Sequence, residues 1–334
     1  MKKIMSKLLM LVVVLVLFTG CTQSGNIPDS KPDSEDVVST DTLEWPEKPI
    51  QIIVGAGAGG DSDFNARAIS EFINSELGQP AVVVNVSGGG GSVGARQVYD
   101  AKPDGYNVLL THTSLLTNIA SGMVDFDLDD FEMIGVLSEN PGDLIIVNAN
   151  SEFRTLDDLV KAAKAEPNKY NMAVNTGSTT QIIASMLESE ADCKFNFVDG
   201  GGTADKTVAL LGQQIDVTVL PYGASKDYIE SGDFRPLAVV RSERNEKFSD
   251  IPTAKELGYD IVLPTRYFLV MPNGTPQDIV NKFTEAVEKI VTSNTDYAEM
   301  INKAYSQDPL WMDVDTAKSE LKKMQDIVDE FIIK

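Results

Sequence analysis

Short apolar runs rich in β-branched residues alternate with amphipathic segments along most of the chain. The first runs predict buried strands at Ile50–Val54, 81–86 and 106–110. Between the first two, apolar residues recur at helical spacing from residue 64 to 73, and Gly78 is placed to end that helix. A second, shorter helix is predicted over residues 93–101, so strand and helix follow each other closely in the first half of the chain.

The same alternation continues in the second half. Predicted strands cover residues 171–174, 195–198, 215–220, 237–240 and 267–271. Predicted helices cover residues 155–165, 181–190, 203–211 and 276–292, and two more helices follow. This alternation is typical of an α/β fold with mostly parallel sheets. Because the composition is even and no linker interrupts the chain, we predict two lobes that the chain crosses more than once.

The N-terminal segment indicates export. Lysines at positions 2, 3 and 7 precede an apolar run over residues 8–18 that is too short to span a membrane. Residues 18–21 resemble the lipobox of bacterial lipoproteins, whose cysteine is lipidated; the alternative is a secretory signal with an incidental cysteine. We predict a signal peptide over residues 1–20, then a lipidated Cys21 and a flexible acidic tether over residues 21–44.

Charge and composition exclude several classes of function. A formal net charge of −22 argues against nucleic acid and anionic membranes as partners, so an anionic ligand needs local donors. One histidine and two cysteines are too few for a metal site built from these residues, and Cys193 is predicted to be a buried thiol. The acidic residues 125–130 lack the spacing of an EF-hand loop and predict a solvated turn.

A glycine-rich loop joins the first strand to the first helix. Gly55, Gly57 and Gly60 fit the G-x-G-x-x-G spacing, and such junctions hold anions with backbone N–H groups at a helix N-terminus. Dinucleotide binding also needs an acid after the second strand, where this chain has Asn85, and Asp61 would crowd a pyrophosphate. We therefore predict no cofactor and an anion other than a dinucleotide.

Two further loops have a similar form. Residues 87–94 follow the second strand, and residues 175–180 join a strand to a helix in the second half of the chain. We predict that this last loop faces the first one across a cleft and that both present N–H groups and hydroxyls to a carboxylate. The alternative is that each loop is only a tight turn.

No catalytic motif is apparent in the sequence. A nucleophile elbow and a P-loop lysine are lacking, and His112 is the sole histidine, so no enzyme is predicted. A hydrolase or transferase would require His112 in the cleft beside a serine. Arg266 is a candidate partner for a second carboxylate and Tyr222 for the cleft wall; the alternatives are a surface ion pair and a packing role.

Several motifs, taken in order, resemble a known family. They are the segment 45–50, the loop ending at Asp63 with Arg67 one turn on, Asn85 with its following glycines, the turn 102–106, and the segments 210–216, 235–239, 250–253 and 274–276. In these residues the chain resembles the substrate-binding proteins of tripartite tricarboxylate transporters, the Bug or TctC family, over nearly all of residues 45–334.

The resemblance implies a two-lobed periplasmic-binding-protein-like fold of type II character, each lobe a mostly parallel sheet flanked by helices. Lobe 1 is expected over residues 45–145 and 269–334, and lobe 2 over residues 146–268. The family grips a carboxylate with the first loop and with the loop of the second lobe. The ligand-binding residues expected here are Ala56, Gly57, Ala58, Gly59, Gly60, Asp61, Ser62, Asp63, Ser87, Thr113, Ser114, Thr176, Gly177, Ser178, Thr179, Thr180, Asp199, Tyr222 and Arg266.

This chain also departs from the family pattern. Gln181 stands where a histidine is common, and a frequent Val-Pro-Tyr-Lys-Gly stretch is replaced by residues 198–202, with an acid gained and an aromatic and a cation lost. Asp199 then holds a ligand ammonium group, as an amino acid would require, or is a solvated loop residue. The sequence leaves both interpretations open.

The resemblance further implies a function in transport. The expected protein is an extracytoplasmic, lipid-anchored monomer that captures a di- or tricarboxylate, an acidic amino acid or an aromatic acid and delivers it to the membrane subunits of a tripartite tricarboxylate transporter. The alternative is a lipoprotein that senses its ligand for a membrane kinase.

Overall fold

The computed structural model describes residues 44–332. The predicted signal peptide, Cys21 and nearly all of the tether lie outside this range. Its strands are β1 (Ile50–Val54), β2 (Ala81–Asn85), β3 (Asn107–His112), β4 (Phe131–Glu139), β5 (Asp143–Asn148), β6 (Asn171–Val174), β7 (Asn196–Asp199), β8 (Val217–Pro221), β9 (Phe234–Val240), β10 (Arg266–Pro272) and β11 (Pro309–Met312). Its helices are α1 (Asp61–Leu77), α2 (Ser92–Tyr99), α3 (Ser114–Ala120), α4 (Leu156–Ala165), α5 (Thr179–Ala191), α6 (Thr203–Leu211), α7 (Tyr222–Glu230), α8 (Gln277–Ser293), α9 (Thr295–Tyr305) and α10 (Val314–Phe331).

These strands form two sheets, flanked by helices, within residues 44–332. The first sheet has the order β11-β4-β10-β3-β1-β2, and the second has the order β7-β6-β8-β5-β9. We call the first sheet with α1–α3 and α8–α10 lobe 1, and the second sheet with α4–α7 lobe 2. The two-lobed α/β fold predicted from the sequence is confirmed.

Both sheets are mixed, which corrects the expectation of mostly parallel sheets. β1 lies parallel to β2 and β3, and β6 lies parallel to β7 and β8, with helices as the crossover connections. β10 runs antiparallel to β3 and β4, and β5 runs antiparallel to β8 and β9. The antiparallel pairs arise because β4 leads directly into β5 of the other lobe and β10 brings the chain back.

The chain crosses between the lobes twice within the described residues. The first crossing lies between Glu139 at the end of β4 and Asp143 at the start of β5, and the second lies between Val240 of β9 and Arg266 of β10. The division expected from the sequence falls a few residues inside β5 and β10. These short connections keep the ends of the crossing strands close to the cleft.

Apolar side chains cover both faces of the central strands. In β1, Ile52 and Val54 pack in one buried cluster with Phe283 of α8, whereas Ile53 joins a second cluster with Leu109 of β3. Successive strand residues point to opposite faces, so helices on both sides are needed to bury them. The sheets are thereby fixed as supports for the loops that follow β1, β6, β7 and β8.

Most predicted elements are confirmed, whereas β4, β5, β11, α3 and α7 are not predicted by the sequence analysis. α4 begins with the capping interaction expected from its sequence, in which Thr155 Oγ1 accepts the Asp158 N–H at 3.1 Å. Gly78 ends α1 at φ +73°. In β4 the alternation of polar and apolar positions is lost because its residues are buried on both faces and its register shifts at two points.

Candidate functional site

A cavity of about 180 Å³, here called the main cavity, lies between the two lobes. Its wall is formed by the loops and first turns at which α1 of lobe 1 and α5, α6 and α7 of lobe 2 begin. The expected ligand-binding residues that line it are Ala56, Gly57, Ala58, Gly60, Asp61, Ser62, Ser178, Thr179 and Thr180. The structure thus brings both predicted grips onto one cavity.

Other lining residues are not among the ligand-binding residues expected from the sequence. They are His112, Asp143, Asn175, Gly201, Gly202, Thr203, Ala204, Asp205, Lys206, Pro221 and Thr265. Several stand at helix N-termini, where backbone N–H groups lack intrahelical partners and the helix dipole is positive. The wall therefore offers N–H donors from both lobes to an anion.

The first loop is held in shape by its own side chains. The Gly59 N–H donates to Asp63 Oδ2 at 2.9 Å, and Arg67 Nη2 lies 2.9 Å from Asp63 Oδ1. Burial favours the neutral acid, but the hydrogen bonds from Arg67, Gly59 and Asn85 outweigh it and lower the pKa of Asp63. Asn85 Nδ2 donates to the Ala56 carbonyl at 3.0 Å, so this residue supports the loop. Asp63 is a support of the grip and does not line the main cavity.

The glycines of neighbouring loops permit close backbone packing. A Cβ atom on Gly55 would lie 2.8 Å from Gly91 Cα, and a Cβ atom on Gly94 would lie 2.8 Å from Gly55 Cα. At Gly90, a Cβ atom would lie 2.7 Å from the carbonyl oxygen of Gly177 in lobe 2. The glycine-rich second loop therefore packs between the first loop and the loop of lobe 2.

The grip of lobe 2 is ordered by hydroxyl groups. Ser178 Oγ donates to the Asn175 carbonyl at 2.7 Å and lies 2.9 Å from Thr180 Oγ1, which accepts the Asn175 N–H at 3.1 Å. Gln181 accepts the Gly177 N–H at 2.8 Å, and so takes a supporting role where the family commonly has histidine. The hydroxyl of Thr179 is buried without a hydrogen-bond partner among the described residues, and Thr179 lines the main cavity.

Asp61 connects the two lobes. Its Oδ1 accepts a hydrogen bond of 2.6 Å from Thr203 Oγ1 in lobe 2, and its Oδ2 accepts one from the Tyr267 hydroxyl in lobe 1. Desolvation and the Asp61 carboxylate both raise the pKa of Tyr267 well above its ordinary value, so Tyr267 remains a donor. A second contact between lobes is the 2.5 Å hydrogen bond from Asn118 Nδ2 to the Gly177 carbonyl.

Lys206 supplies a buried cation to the main cavity. The residue is 2% exposed, and its Nζ donates to the Val219 carbonyl at 3.2 Å. Burial lowers the pKa of Lys206 to about 8, against the opposing influence of Asp61, Asp143 and, least, Asp199. A lysine in the first turn of a helix is unfavourable, because the helix dipole is positive there. This unusual position is the sequence signal that could have identified Lys206 as a site residue.

Asp143 adds a second buried carboxylate, at the first crossing between the lobes. It accepts hydrogen bonds of 2.7 Å from Thr265 Oγ1 and from Asn140 Nδ2. Burial, opposed by the Thr265 hydrogen bond, raises the pKa of Asp143 to about 6. No ion pair within 4.0 Å joins Lys206 to Asp61 or Asp143 in the structure of residues 44–332.

His112 lines the main cavity and lies beside a serine, the arrangement that an enzyme would require. Its Nε2 is 3.3 Å from Ser114 Oγ, and its Nδ1 accepts the Ser114 N–H at 3.3 Å. Burial lowers the pKa of His112, so the ring is neutral near pH 7. Ser114 is itself buried and is not part of the cavity wall, so its hydroxyl does not face a substrate there.

Arg266 and Thr113 have structural contacts outside the main cavity. The Arg266 guanidinium bonds to Glu139 and Glu320, each at 3.0 Å. Thr113 Oγ1 donates to the Pro264 carbonyl and accepts the Arg266 N–H, each at 3.1 Å. These bonds hold the second crossing, at which the chain returns from lobe 2, against lobe 1.

The remaining expected residues also lie away from the main cavity. Ser87 and Asp199 line a neighbouring cavity, the side cavity, and Asp199 Oδ1 accepts the Gly201 N–H at 3.2 Å. Tyr222 stacks on Phe248 with ring centroids 4.0 Å apart. Gly59, Thr176 and Gly177 contribute backbone that shapes the two grips without lining the cavity.

Two negative findings concern residues 44–332. No cluster of three histidine, cysteine, aspartate or glutamate side chains suited to a metal ion occurs among them. In the same range, no helix combines the length and apolar character needed to cross a membrane.

Comparison with known proteins identifies relatives of this chain. The model of the tripartite tricarboxylate transporter family receptor, TctC, matches residues 65–331. Protein BugT of Bordetella pertussis is 30% identical over 73% of this chain and 76% of its own length. A protein encoded in the gbd 5′ region of Cupriavidus necator is 29% identical over 86% of this chain and 88% of its own length.

Solved structures show the same fold. The periplasmic binding protein BugD superposes with a TM-score of 0.79 at 25% identity, covering 86% of this chain and 97% of its own. MatC from Rhodopseudomonas palustris, solved with bound malate, superposes with a TM-score of 0.77 at 22% identity, covering 85% of this chain and all of its own.

These relatives are solute-binding receptors and not enzymes, in agreement with the sequence prediction and with the inaccessible Ser114. Family match, fold and the position of the cavity between two lobes agree with one another. The chain belongs to the tripartite tricarboxylate transporter receptor family, known as TctC or Bug.

Proposed function

We propose that the protein is an extracytoplasmic, lipid-anchored receptor that captures a small organic carboxylate between its lobes. The observation that carries this proposal is the convergence of helix N-termini from both lobes on the main cavity, together with the buried ammonium of Lys206. Backbone N–H groups at helix starts bind carboxylates locally, which the overall negative charge of the chain makes necessary.

The contacts between lobes support a closing mechanism. Asp61 of lobe 1 bonds to Thr203 of lobe 2, and Asn118 of lobe 1 bonds to Gly177 of lobe 2. A ligand that touches both grips has more contacts in the closed state, so its binding shifts the equilibrium toward closure. The closed receptor then delivers its ligand to the membrane subunits of a tripartite tricarboxylate transporter.

A thermal-shift screen of the soluble mature chain tests the ligand class. The panel contains di- and tricarboxylates, acidic amino acids, aromatic acids and neutral sugars. We expect at least one carboxylate to raise the melting temperature and the sugars to have no effect. Stabilisation by a neutral sugar without stabilisation by any carboxylate would overturn the proposal.

Two serine variants, one at the N-cap of α5 and one within α5, then locate the binding. Ser178→Ala removes a hydroxyl that orders the lobe 2 grip and should weaken binding of the selected carboxylate by roughly 1 to 3 kcal/mol. Ser189→Ala on the same helix changes an exposed residue and is the matched control. Equal affinities for both variants would remove Ser178 from the site.

Lipid attachment at Cys21 is part of the proposal. Cells grown with a labelled fatty acid should incorporate the label into the wild-type protein and not into Cys21→Ser. Equal labelling of both proteins would contradict the lipid anchor at this residue.

A further inference from the structure

The main cavity contains three buried charged groups of which two are acidic. Asp61, Asp143 and Lys206 all line it, and each is at most 9% exposed. The acids come from both sides of the cleft: Asp61 begins α1 in lobe 1, and Asp143 begins β5 where the chain enters lobe 2. The three groups therefore surround the place where the proposed function puts the ligand.

These charges influence one another but do not neutralise one another directly. Asp61 and Asp143 both act on the Lys206 ammonium, yet no ion pair within 4.0 Å joins it to either acid in the described chain. Neutral hydroxyl and amide groups donate to the carboxylates, as described above. Buried charges without a directly paired opposite charge destabilise the protein unless a bound group of opposite charge pairs with them.

The sum of these charges argues for a particular kind of ligand. A dicarboxylate would bring two further negative charges to a cavity that holds two buried acids and one lysine. A molecule with one carboxylate and one ammonium group matches both parts of the wall. Its carboxylate meets Lys206 and the N-termini of α5 and α6, and its ammonium meets the two acids.

A separate observation indicates that the cavity is built for a polar ligand. The Thr179 hydroxyl in the first turn of α5 is 3% exposed, lines the main cavity and has no hydrogen-bond partner in the described structure. Buried hydroxyl groups are rarely left without a partner. A ligand carboxylate held at the start of α5 would supply the acceptor.

Asp199, for which the sequence left an ammonium-binding role open, is less suited to this role. Its side chain accepts the Gly201 N–H at 3.2 Å and lines the side cavity. Asp61 and Asp143 are more deeply buried and face the main cavity, where an ammonium pair is stronger.

We infer that the main cavity selects amino acids over carboxylates that lack an amino group, with Asp143 and Asp61 holding the ligand ammonium and Lys206 its carboxylate. This inference rests on the proposed function, since it specifies the ligand of the same cavity. It assigns the preference to residues on different elements, α1, β5 and α6.

Calorimetric titration with matched ligand pairs tests the inference. The pairs are aspartate and succinate, glutamate and glutarate, alanine and propionate, and phenylalanine and 3-phenylpropionate. We expect at least one amino acid to bind, and to bind at least about tenfold more tightly than its partner without the amino group. Tighter binding of the partner in every pair that binds would overturn the inference while leaving the carboxylate proposal intact, whereas failure of all carboxylates would overturn both.

Variants of the acids identify the ammonium-binding residues. Asp143→Asn keeps the size of the side chain and removes its charge, and should reduce the preference for the amino acid about tenfold or more. Asp61→Asn is a second variant with the same expectation, and Asp227→Asn, an exposed acid on α7, is the matched control. Circular dichroism of each unliganded variant verifies folding.

The acid whose substitution lowers the preference for the amino acid decides the outcome. An unchanged preference in both folded variants, Asp61→Asn and Asp143→Asn, would contradict the inference. Loss of the preference in Asp199→Asn alone would also contradict it and would move the ammonium site to the side cavity.

Discussion

At the scale of single residues, Lys206 leaves no room for the aromatic side chain that the family commonly has at the position of Gly200. A Cβ atom at Gly200 would lie 2.7 Å from Lys206 Cγ and 2.8 Å from Ala173 Cβ. A larger side chain at position 200 would therefore collide with the lysine stem. Residues 198–202 carry no cation, whereas Lys206 of the following helix lines the main cavity.

Lys206→Met should raise the stability of the unliganded protein and abolish carboxylate binding. Because burial lowers the pKa of Lys206 to about 8 from 10.5, the unfolded chain binds this proton more tightly, and the charged side chain destabilises the fold below pH 8. Methionine has a similar length and no charge, so the unliganded variant should be more stable at pH 7 by up to about 3 kcal/mol. Urea unfolding measures the stability, and calorimetry should show loss of carboxylate binding. A variant that is less stable and binds normally would contradict the role of Lys206.

Asp143 predicts a pH dependence of stability with a defined sign. Its pKa is raised to about 6 from 3.8, so its contribution to stability is fully present below pH 3.8 and is lost as the pH rises through about 6. The difference in unfolding free energy between the wild type and Asp143→Asn should therefore change by about 2 kcal/mol between pH 4 and pH 7, to the disadvantage of the wild type. Urea unfolding across this range measures it, with Asp227→Asn as the control. A constant difference would show that Asp143 is not buried as described.

At the scale of elements, the sequence predicts the strand–loop–helix units well, because their hydrophobic periodicity and capping residues are local. Both loops that the sequence singles out therefore line the main cavity, and their role in ligand binding stays a prediction. Asp143, Thr265 and Lys206 are not found. The first two lie at the crossings between lobes, and their proximity depends on how β5 and β10 pair with other strands in two separate sheets. Arg266 forms ion pairs, the alternative that the sequence left open, and its partners Glu139 and Glu320 are not predicted because they are distant in sequence.

The glycines of the first loop have two different purposes, and a pair of variants distinguishes them. Gly55→Ala places a Cβ atom 2.8 Å from Gly91 Cα and should destabilise the fold by about 1 to 3 kcal/mol. Gly57→Ala meets only Ser87 Oγ at 3.6 Å, an ordinary contact, so its stability should stay near that of the wild type. Thermal melts without ligand compare the two. Equal destabilisation by both would contradict the packing described for this loop.

At the scale of the whole molecule, lobe 1 and lobe 2 are joined by two crossings and by hydrogen bonds over the cleft. We predict that the unliganded protein opens by breaking the bonds of Asp61 to Thr203 and of Asn118 to Gly177, and that a bound carboxylate restores them. Small-angle X-ray scattering should then show a smaller radius of gyration with saturating ligand than without it. Identical scattering curves in both conditions would contradict closure.

The central claim is that one carboxylate is held by both lobes at the same time. A crystal structure of the complex with the carboxylate selected by thermal shift tests it most directly. We predict carboxylate oxygens within hydrogen-bonding distance of backbone N–H groups in residues 57–62 and of N–H or hydroxyl groups in residues 178–180. A ligand bound in the side cavity, or in contact with one lobe alone, would contradict the account.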